Sequence, residues 1–346
     1  MTAPVALDFP IPAALGADRP PEDRGTPRDG VRLLVSDGAD DLHYRFSDLP
    51  DLLEEGDLLV VNESETLPAS LPARGLPGEF RVSLSTEYGS GLWVAEPRWS
   101  FDRPGPLPLG PGETIDVAGV PCRVVAGYPG IRRLVFLEAG GDLRAAMQRA
   151  GRPIRYGYLA RDYPIATYRT VFGRVPGSAE MPSASRPFTH RLLDRLARKG
   201  VGTAPILLHT GVSSLEDGDA GPGRVPLLPE PYEVPATTVE AVRRVRSRGS
   251  RVVAVGTTVV RALEAATDSS GLRPSRGFTR LYLHPGRPIR SVDGLLTGFH
   301  EARSTHLALL ASFAGAERLD RSYRTAIDSG YLWHEFGDSQ LWLARS

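Results

Sequence analysis

Only one cysteine, Cys122, occurs in the 346 residues, so neither an intrachain disulfide nor a cysteine-paired zinc site can form, and a reducing compartment is expected. No stretch approaches the roughly 20 consecutive apolar residues that span a bilayer, and Met1 to Gly16 carries no basic, signal-like start. The expectation is therefore no membrane partner and a cytoplasmic location. Net charge is missing as well: 41 Lys plus Arg balance 41 Asp plus Glu, which gives the molecule as a whole no electrostatic footprint for nucleic acid. A local run, Arg243, Arg244, Arg246, Arg248 and Arg251, is either a basic stripe on a neutral protein or the solvated face of a helix. There is no H-E-x-x-H, no cysteine pair, no calcium-spaced aspartate cluster, no G-x-x-x-x-G-K-[ST] loop and no G-x-S-x-G elbow. Metal binding, nucleotide hydrolysis and serine-hydrolase chemistry are accordingly not expected.

What is present has a clear texture. Single cores stop growing near roughly 250 to 300 residues, so this length implies two units. Val31 to Ser36 reads as a strand, Asp48 to Leu53 as a short capped helix closed by Gly56, and Asp57 to Val61 as a buried strand. From about Leu67 to Gly140 short β-type runs alternate with glycine and proline, the spacing of a small antiparallel barrel or sandwich. A helix capped by Asp142 and ended at Gly151 follows. Beyond it helices and strands alternate: Thr189 caps a helix, Ala204 to His209 is a strand, and Thr237 with Glu240 has capping-box spacing. Arg251 to Val255 and Leu281 to His284 are further strands, and Ser304 caps the helix Thr305 to Ala314. The fold class is α/β: a larger α/β domain with a mostly parallel sheet, residues 1–64 and 151–346, and a small inserted antiparallel β-barrel domain, residues 65–150. The glycine- and proline-rich stretch from Ser213 to Pro235 is either a functional lid or disordered.

Three clusters carry possible chemistry. Gly256-Thr257-Thr258 joins an apolar strand to a helix, which aims free backbone N–H groups and the positive end of a helix dipole at an anion; Arg261, one turn on, can add charge-assisted hydrogen bonds. Such a glycine also occurs for tight packing alone. Phe299-His300 precedes Ser304-Thr305-His306, and His300 suits proton transfer at neutral pH unless it is simply bonded to a loop carbonyl. His209-Thr210-Gly211 ends another strand, and ligands gather at such carboxyl ends, so the three clusters are expected to converge on one cleft. His43, His190, His284 and His334 read as surface or packing residues.

These pieces stand in a known order. Asp48-Leu49-Pro50-Asp51-Leu52-Leu53, Gly56-Asp57-Leu58-Leu59-Val60-Val61-Asn62, Tyr168-Arg169-Thr170-Val171-Phe172, Gly256-Thr257-Thr258-Val259-Val260-Arg261-Ala262-Leu263-Glu264, Gly298-Phe299-His300, Ser304-Thr305, Ser312-Phe313-Ala314-Gly315 and Phe336-Gly337-Asp338 together span about 290 residues. In that order the chain resembles the S-adenosylmethionine:tRNA ribosyltransferase-isomerase family. The resemblance implies a two-domain, metal-free enzyme of queuosine biosynthesis. Its members move the ribosyl part of S-adenosylmethionine onto the aminomethyl group of a 7-deazaguanine in the tRNA wobble position, releasing adenine and methionine. On that reading His300 or His209 transfers the proton, and Gly256, Thr257, Thr258, Arg261, Ser304 and Thr305 hold the co-substrate. Tyr168, Asp338 and Asn62 orient polar groups of the substrate.

The chain departs from the family pattern at polar motifs. Asn62-Glu63-Ser64-Glu65 stands for N-D-T-R, and Ser70 for the arginine of P-A-R-L. Pro182-Ser183-Ala184-Ser185-Arg186-Pro187-Phe188-Thr189 stands for P-T-A-G-L-H-F-T, so Pro187 replaces a histidine. The H-x-M-H-x-E-x-Y stretch is reduced to Val225-Pro226-Leu227-Leu228-Pro229-Glu230-Pro231-Tyr232, without either histidine. Three readings stay open: a transferase acting on tRNA, which the net charge does not support; a paralogue using S-adenosylmethionine on a small-molecule acceptor; and a non-catalytic ligand-binding protein on the same scaffold.

Overall fold

A computed structural model describes residues 9–38, 40–212, 227–302 and 304–343. Nine strands form one sheet in the order Ser275–Thr279, Glu230–Val234, Gly202–Leu208, Leu58–Asn62, Val252–Val255, Gly294–Gly298, Ser339–Leu343, Arg32–Ser36 and Asp41–Arg45. The four central strands, Gly202–Leu208 through Gly294–Gly298, run parallel, and the flanking pairings are antiparallel except Arg32–Ser36 beside Ser339–Leu343. The cause is visible in the burial pattern. Every residue of Leu58–Asn62 and Val252–Val255 is buried, as in strands covered on both faces by helices, whereas Asp41–Arg45 at the edge buries none of its five residues fully.

Alternate residues feed two cores. Leu58, Val60, Ala204, Ile206, Val252 and Ala254 pack under the helices Ala236–Ser247, Thr257–Ala265 and Thr305–Ala314. Leu59, Val61, Val253 and Val255 face Phe46, Phe188, Leu192 and Leu196 on the other side. The caps expected at Asp142, Thr189 and Ser304 are all made, each side chain accepting the backbone N–H three residues on at 3.0 to 3.2 Å.

The second unit is a closed barrel of six strands, from Ser70–Gly75 to Val135–Ala139, with its own core around Leu71, Val82, Leu84, Val124 and Leu137. The helix Leu143–Ala150 lays Leu143, Ala146 and Met147 on that core. Where the chain enters and leaves the barrel, Ser70 and Arg152 exchange two backbone hydrogen bonds of 2.9 Å, so both crossings are clamped side by side.

Three local expectations differ. Leu281 to His284 is not a strand; the edge strand is Ser275–Thr279, and the chain turns away after it. Thr237 is not a cap, because Pro235 starts the helix, whose Thr238 hydroxyl donates to the Pro205 carbonyl at 2.5 Å. Of the stretch from Ser213 to Pro235, residues 213–226 lie outside the described residues, and Glu230–Val234 is a strand. No helix among the described residues is long and apolar enough to cross a membrane.

Candidate functional site

The carboxyl ends of the parallel strands define the edge at which polar groups collect. Gly256 leaves Val252–Val255 with φ +99°, a backbone conformation that side-chain-bearing residues rarely adopt, and its N–H donates to the Leu296 carbonyl at 2.7 Å. The Thr257–Ala265 helix starts there with no side-chain cap, leaving its first N–H groups for another partner. Arg261 is buried; its Nη1 is ion-paired with Glu230 and its Nε donates to the Leu281 carbonyl at 3.4 Å. Its Nη2 is buried with no hydrogen-bond partner, an orphaned donor of the kind that an anionic ligand would satisfy. The other Glu230 oxygen accepts the Gly211 N–H at 2.9 Å, so one carboxylate ties the strand end beyond His209 to the helix.

On the neighbouring strand end, His300 is held at every backbone atom that can bond. Its N–H donates to the Tyr323 hydroxyl at 3.1 Å, and its carbonyl accepts the Trp333 indole N–H at 3.4 Å. Its Nε2 lies 2.9 Å from the Thr297 hydroxyl, and its ring stacks on His306 at 4.7 Å and 13°. Burial, with a contribution from His306, holds the His300 imidazole well below the ordinary histidine range. Burial, with Arg261 nearby, pushes His306 down to about 4. Both rings are therefore neutral at pH 7. Ser304 caps the helix that carries His306, so Gly256, Thr257, Thr258, Arg261, His300, Ser304 and Thr305 share one end of two adjacent strands.

The remaining candidates lie elsewhere. His209 ends a strand three places from the one preceding His300, roughly 14 Å at the usual strand spacing, so the two histidines do not meet at one atom. Its Nδ1 is 2.7 Å from the Ser64 hydroxyl, which is itself 2.6 Å from Ser178, and burial pushes it down to about 4. Asn62 is fully buried, its amide donating to the Leu208 carbonyl and accepting the Leu208 and Ser64 N–H groups, so that side chain joins strands. Asp338 accepts the Arg32 and Leu332 N–H groups, both at 2.8 Å, and burial raises its pKa. Tyr168 packs on Phe336 and lines a crevice with Tyr156, Glu180 and Glu335. Glu335 also lines the adjoining crevice with Gly298, Ser183, Pro187 and His334.

The departures noted in the sequence have local compensations. Glu65 pairs with Arg169 at 2.6 Å. Ser70 receives the Arg81 guanidinium, which donates to its hydroxyl at 3.0 Å and its carbonyl at 2.8 Å, so a cation still sits at that position. Pro187 brings no imidazole, but His334, stacked on Tyr158 at 4.0 Å, faces the same crevice. His334 read as a packing residue and His306 drew no role, because only tertiary packing brings either to this edge. Three of the five clustered arginines are tied down: Arg243 to the Leu272 carbonyl, Arg246 to the Arg290 carbonyl and Arg251 to Asp57. No group of three or more metal-ligating side chains occurs among the described residues.

A doubly covered sheet with a barrel inserted between its third strand and its remaining strands, and with an uncapped helix start beside a clamped histidine at the sheet's carboxyl edge, defines a mixed α/β protein carrying a closed antiparallel barrel. The family described as "Queuosine biosynthesis protein" matches residues 5–342, and the chain belongs to it. It is 38% identical to the S-adenosylmethionine:tRNA ribosyltransferase-isomerase of Anaeromyxobacter sp. strain Fw109-5 over 98% of both chains. It is 39% identical to a protein of that description from Thermus thermophilus, over 91% of this chain and 93% of that one. Among solved structures, the S-adenosylmethionine tRNA ribosyltransferase from Thermotoga maritima is 28% identical, with a TM-score of 0.55 over 98% of this chain and 100% of that chain. The expected α/β architecture with an antiparallel barrel and the expected family are thus both found.

Proposed function

We propose that the chain transfers and isomerises the ribosyl part of S-adenosylmethionine onto 7-aminomethyl-7-deazaguanine in tRNA, a step of queuosine precursor synthesis. The observation that carries the reading is the buried, partnerless Nη2 of Arg261 beside the uncapped start of the Thr257–Ala265 helix. That donor set fits the amino-acid carboxylate of the co-substrate. Thr257 and Thr258 offer backbone N–H groups to the same carboxylate, and Ser304 and Thr305 flank it from the adjoining helix start.

The sulfonium supplies an acidified neighbouring carbon and a good leaving group. His300 is the residue that takes the proton. It follows the strand next to Gly256, is clamped at its N–H and carbonyl, and is neutral at pH 7; because burial holds its proton affinity down, the proton it takes is one that the bound sulfonium has made acidic. His209, three strands away and engaged with Ser64, positions the Asn62–Ser64 turn. Tyr168, which lines one crevice, and Asp338, which lines the adjoining one, shape the acceptor side.

The test is adenine and methionine release from S-adenosylmethionine, with and without tRNA carrying the aminomethyl base. Release that requires the tRNA supports the reading. Release with a free small amine but without tRNA would favour the small-molecule acceptor, and co-substrate binding without turnover on any acceptor would favour a binding protein.

A further inference from the structure

The large sheet ends on the strand Ser275–Thr279, whose Phe278 is 54% exposed. Phe278 lies against Tyr88 of the barrel with ring centroids 5.5 Å apart, Tyr88 lies 6.4 Å from Phe136, and Phe136 stacks on Tyr128 at 5.2 Å. These four rings form a row that crosses from the sheet edge onto the barrel. Arginines flank it. Arg280 is exposed and donates to the Tyr128 hydroxyl at 2.7 Å, with no carboxylate partner among the described residues. Arg276 is 84% exposed with Glu233 at 3.8 Å, and Arg132 is exposed in the turn between Tyr128 and Phe136. Every cationic side chain of the protein except Lys199 is an arginine, the residue whose planar fork both grips phosphate and stacks on bases.

Packing between barrel and sheet accounts for Tyr128, which is buried, but not for Phe278 at the outer end of the row. Tyr88 and Phe136 are half-buried and Phe278 offers the exposed ring, beside exposed arginines; such a surface suits a flexible single strand of nucleic acid, since bases stack on rings and phosphates meet the guanidinium groups. The row also leads to the candidate site: Leu281, next after Arg280, gives its carbonyl to Arg261.

We propose that the Phe278–Tyr88–Phe136 row with Arg280, Arg276 and Arg132 is the surface on which the unpaired loop of the RNA acceptor docks. This rests on the tRNA reading above and deepens it, because a small acceptor would need no such row. The neutral composition does not conflict with it, since the positive charge is local.

The test is fluorescence anisotropy with a labelled anticodon stem-loop RNA, on the full chain, across a salt series. Co-substrate binding by calorimetry and the melting temperature are measured on each variant as checks on folding. Phe278→Ala is expected to weaken RNA binding about tenfold or more. Arg280→Ala is expected to weaken it and to lower the salt slope by about one. Arg324→Ala, on the Ala316–Asp328 helix, is expected to change neither. Wild-type RNA affinity in both row variants overturns the docking surface and leaves the tRNA reading standing. A wild-type protein that binds S-adenosylmethionine but no RNA overturns the surface and the tRNA reading together.

Discussion

At the scale of single residues, Glu230 matters most, because one carboxylate neutralises a buried guanidinium and accepts a backbone N–H from another strand end. Glu230→Ala leaves Arg261 charged, buried and without a counter-charge, which is expected to cost about 3–5 kcal/mol of stability in urea unfolding. A loss below about 1 kcal/mol would mean that Arg261 swings to solvent. The histidines make a separate prediction about pH. His209, His300 and His306 all have folded pKa values below the unfolded value near 6.5. The unfolded chain therefore binds protons that the folded chain refuses, and stability falls as pH drops from about 6.5 towards 4. Asp338 and Glu335, raised by burial, act in the opposite direction, since the folded state takes up their protons first. His306→Leu isolates the imidazole contribution: its unfolding free energy should fall less steeply between about pH 7 and 5 than that of the wild type. Equal slopes would show that His306 titrates normally.

At the scale of elements, what could be read from sequence and what could not divide along a physical line. Helices closed by their own residues were legible, because a cap is a contact between neighbours in sequence: Asp142, Thr189 and Ser304 each bond the N–H three residues on. Thr237 failed because proline two residues earlier already sets the first turn, and Leu281 to His284 failed because whether an apolar run pairs as a strand depends on a distant edge. The candidate site was legible where one strand-to-helix turn supplies it, at Gly256 to Arg261. It was not legible at His306, His334 or Glu230's pairing, which need three-dimensional proximity. The Gly256 turn can be tested directly. A Cβ there would find its nearest neighbours at 3.4 and 3.6 Å, so space is not the obstacle, and Gly256→Ala should cost about 1–3 kcal/mol through backbone strain alone. It should also weaken S-adenosylmethionine binding, measured by calorimetry, because the first N–H groups of the helix are re-aimed; unchanged affinity would remove that helix start from the site.

At the scale of the whole molecule, the chain length led to an expectation of two units, and the barrel is an element that closes on itself. Its strands leave no open edge, and its core and that of the sheet are distinct clusters. The two chain crossings are joined by the Ser70–Arg152 backbone pair, and Gly151 fits between them only without a side chain, since a Cβ would come within 2.1 Å of the Pro68 carbonyl. The insertion therefore begins and ends at one point, and away from that point a separate apolar cluster, Val94, Tyr128 and Leu134 with Ala179, Val212 and Leu228, holds the barrel to the rest. A fragment covering residues 66–153 is expected to fold alone, with a single cooperative thermal transition and dispersed amide NMR signals, because the barrel closes through its own strands and the Leu143–Ala150 helix covers its own core. Its stability should be modest, since a domain of this size buries a smaller share of its surface. Gly151→Ala in the same fragment should lower the melting temperature, because Pro68 and Met147 must part to admit the methyl group and the clamp opens with them. A fragment that stays unfolded, or a substitution without effect, would show that the barrel depends on the sheet for its shape and that the boundary near 65 and 150 is not a folding boundary.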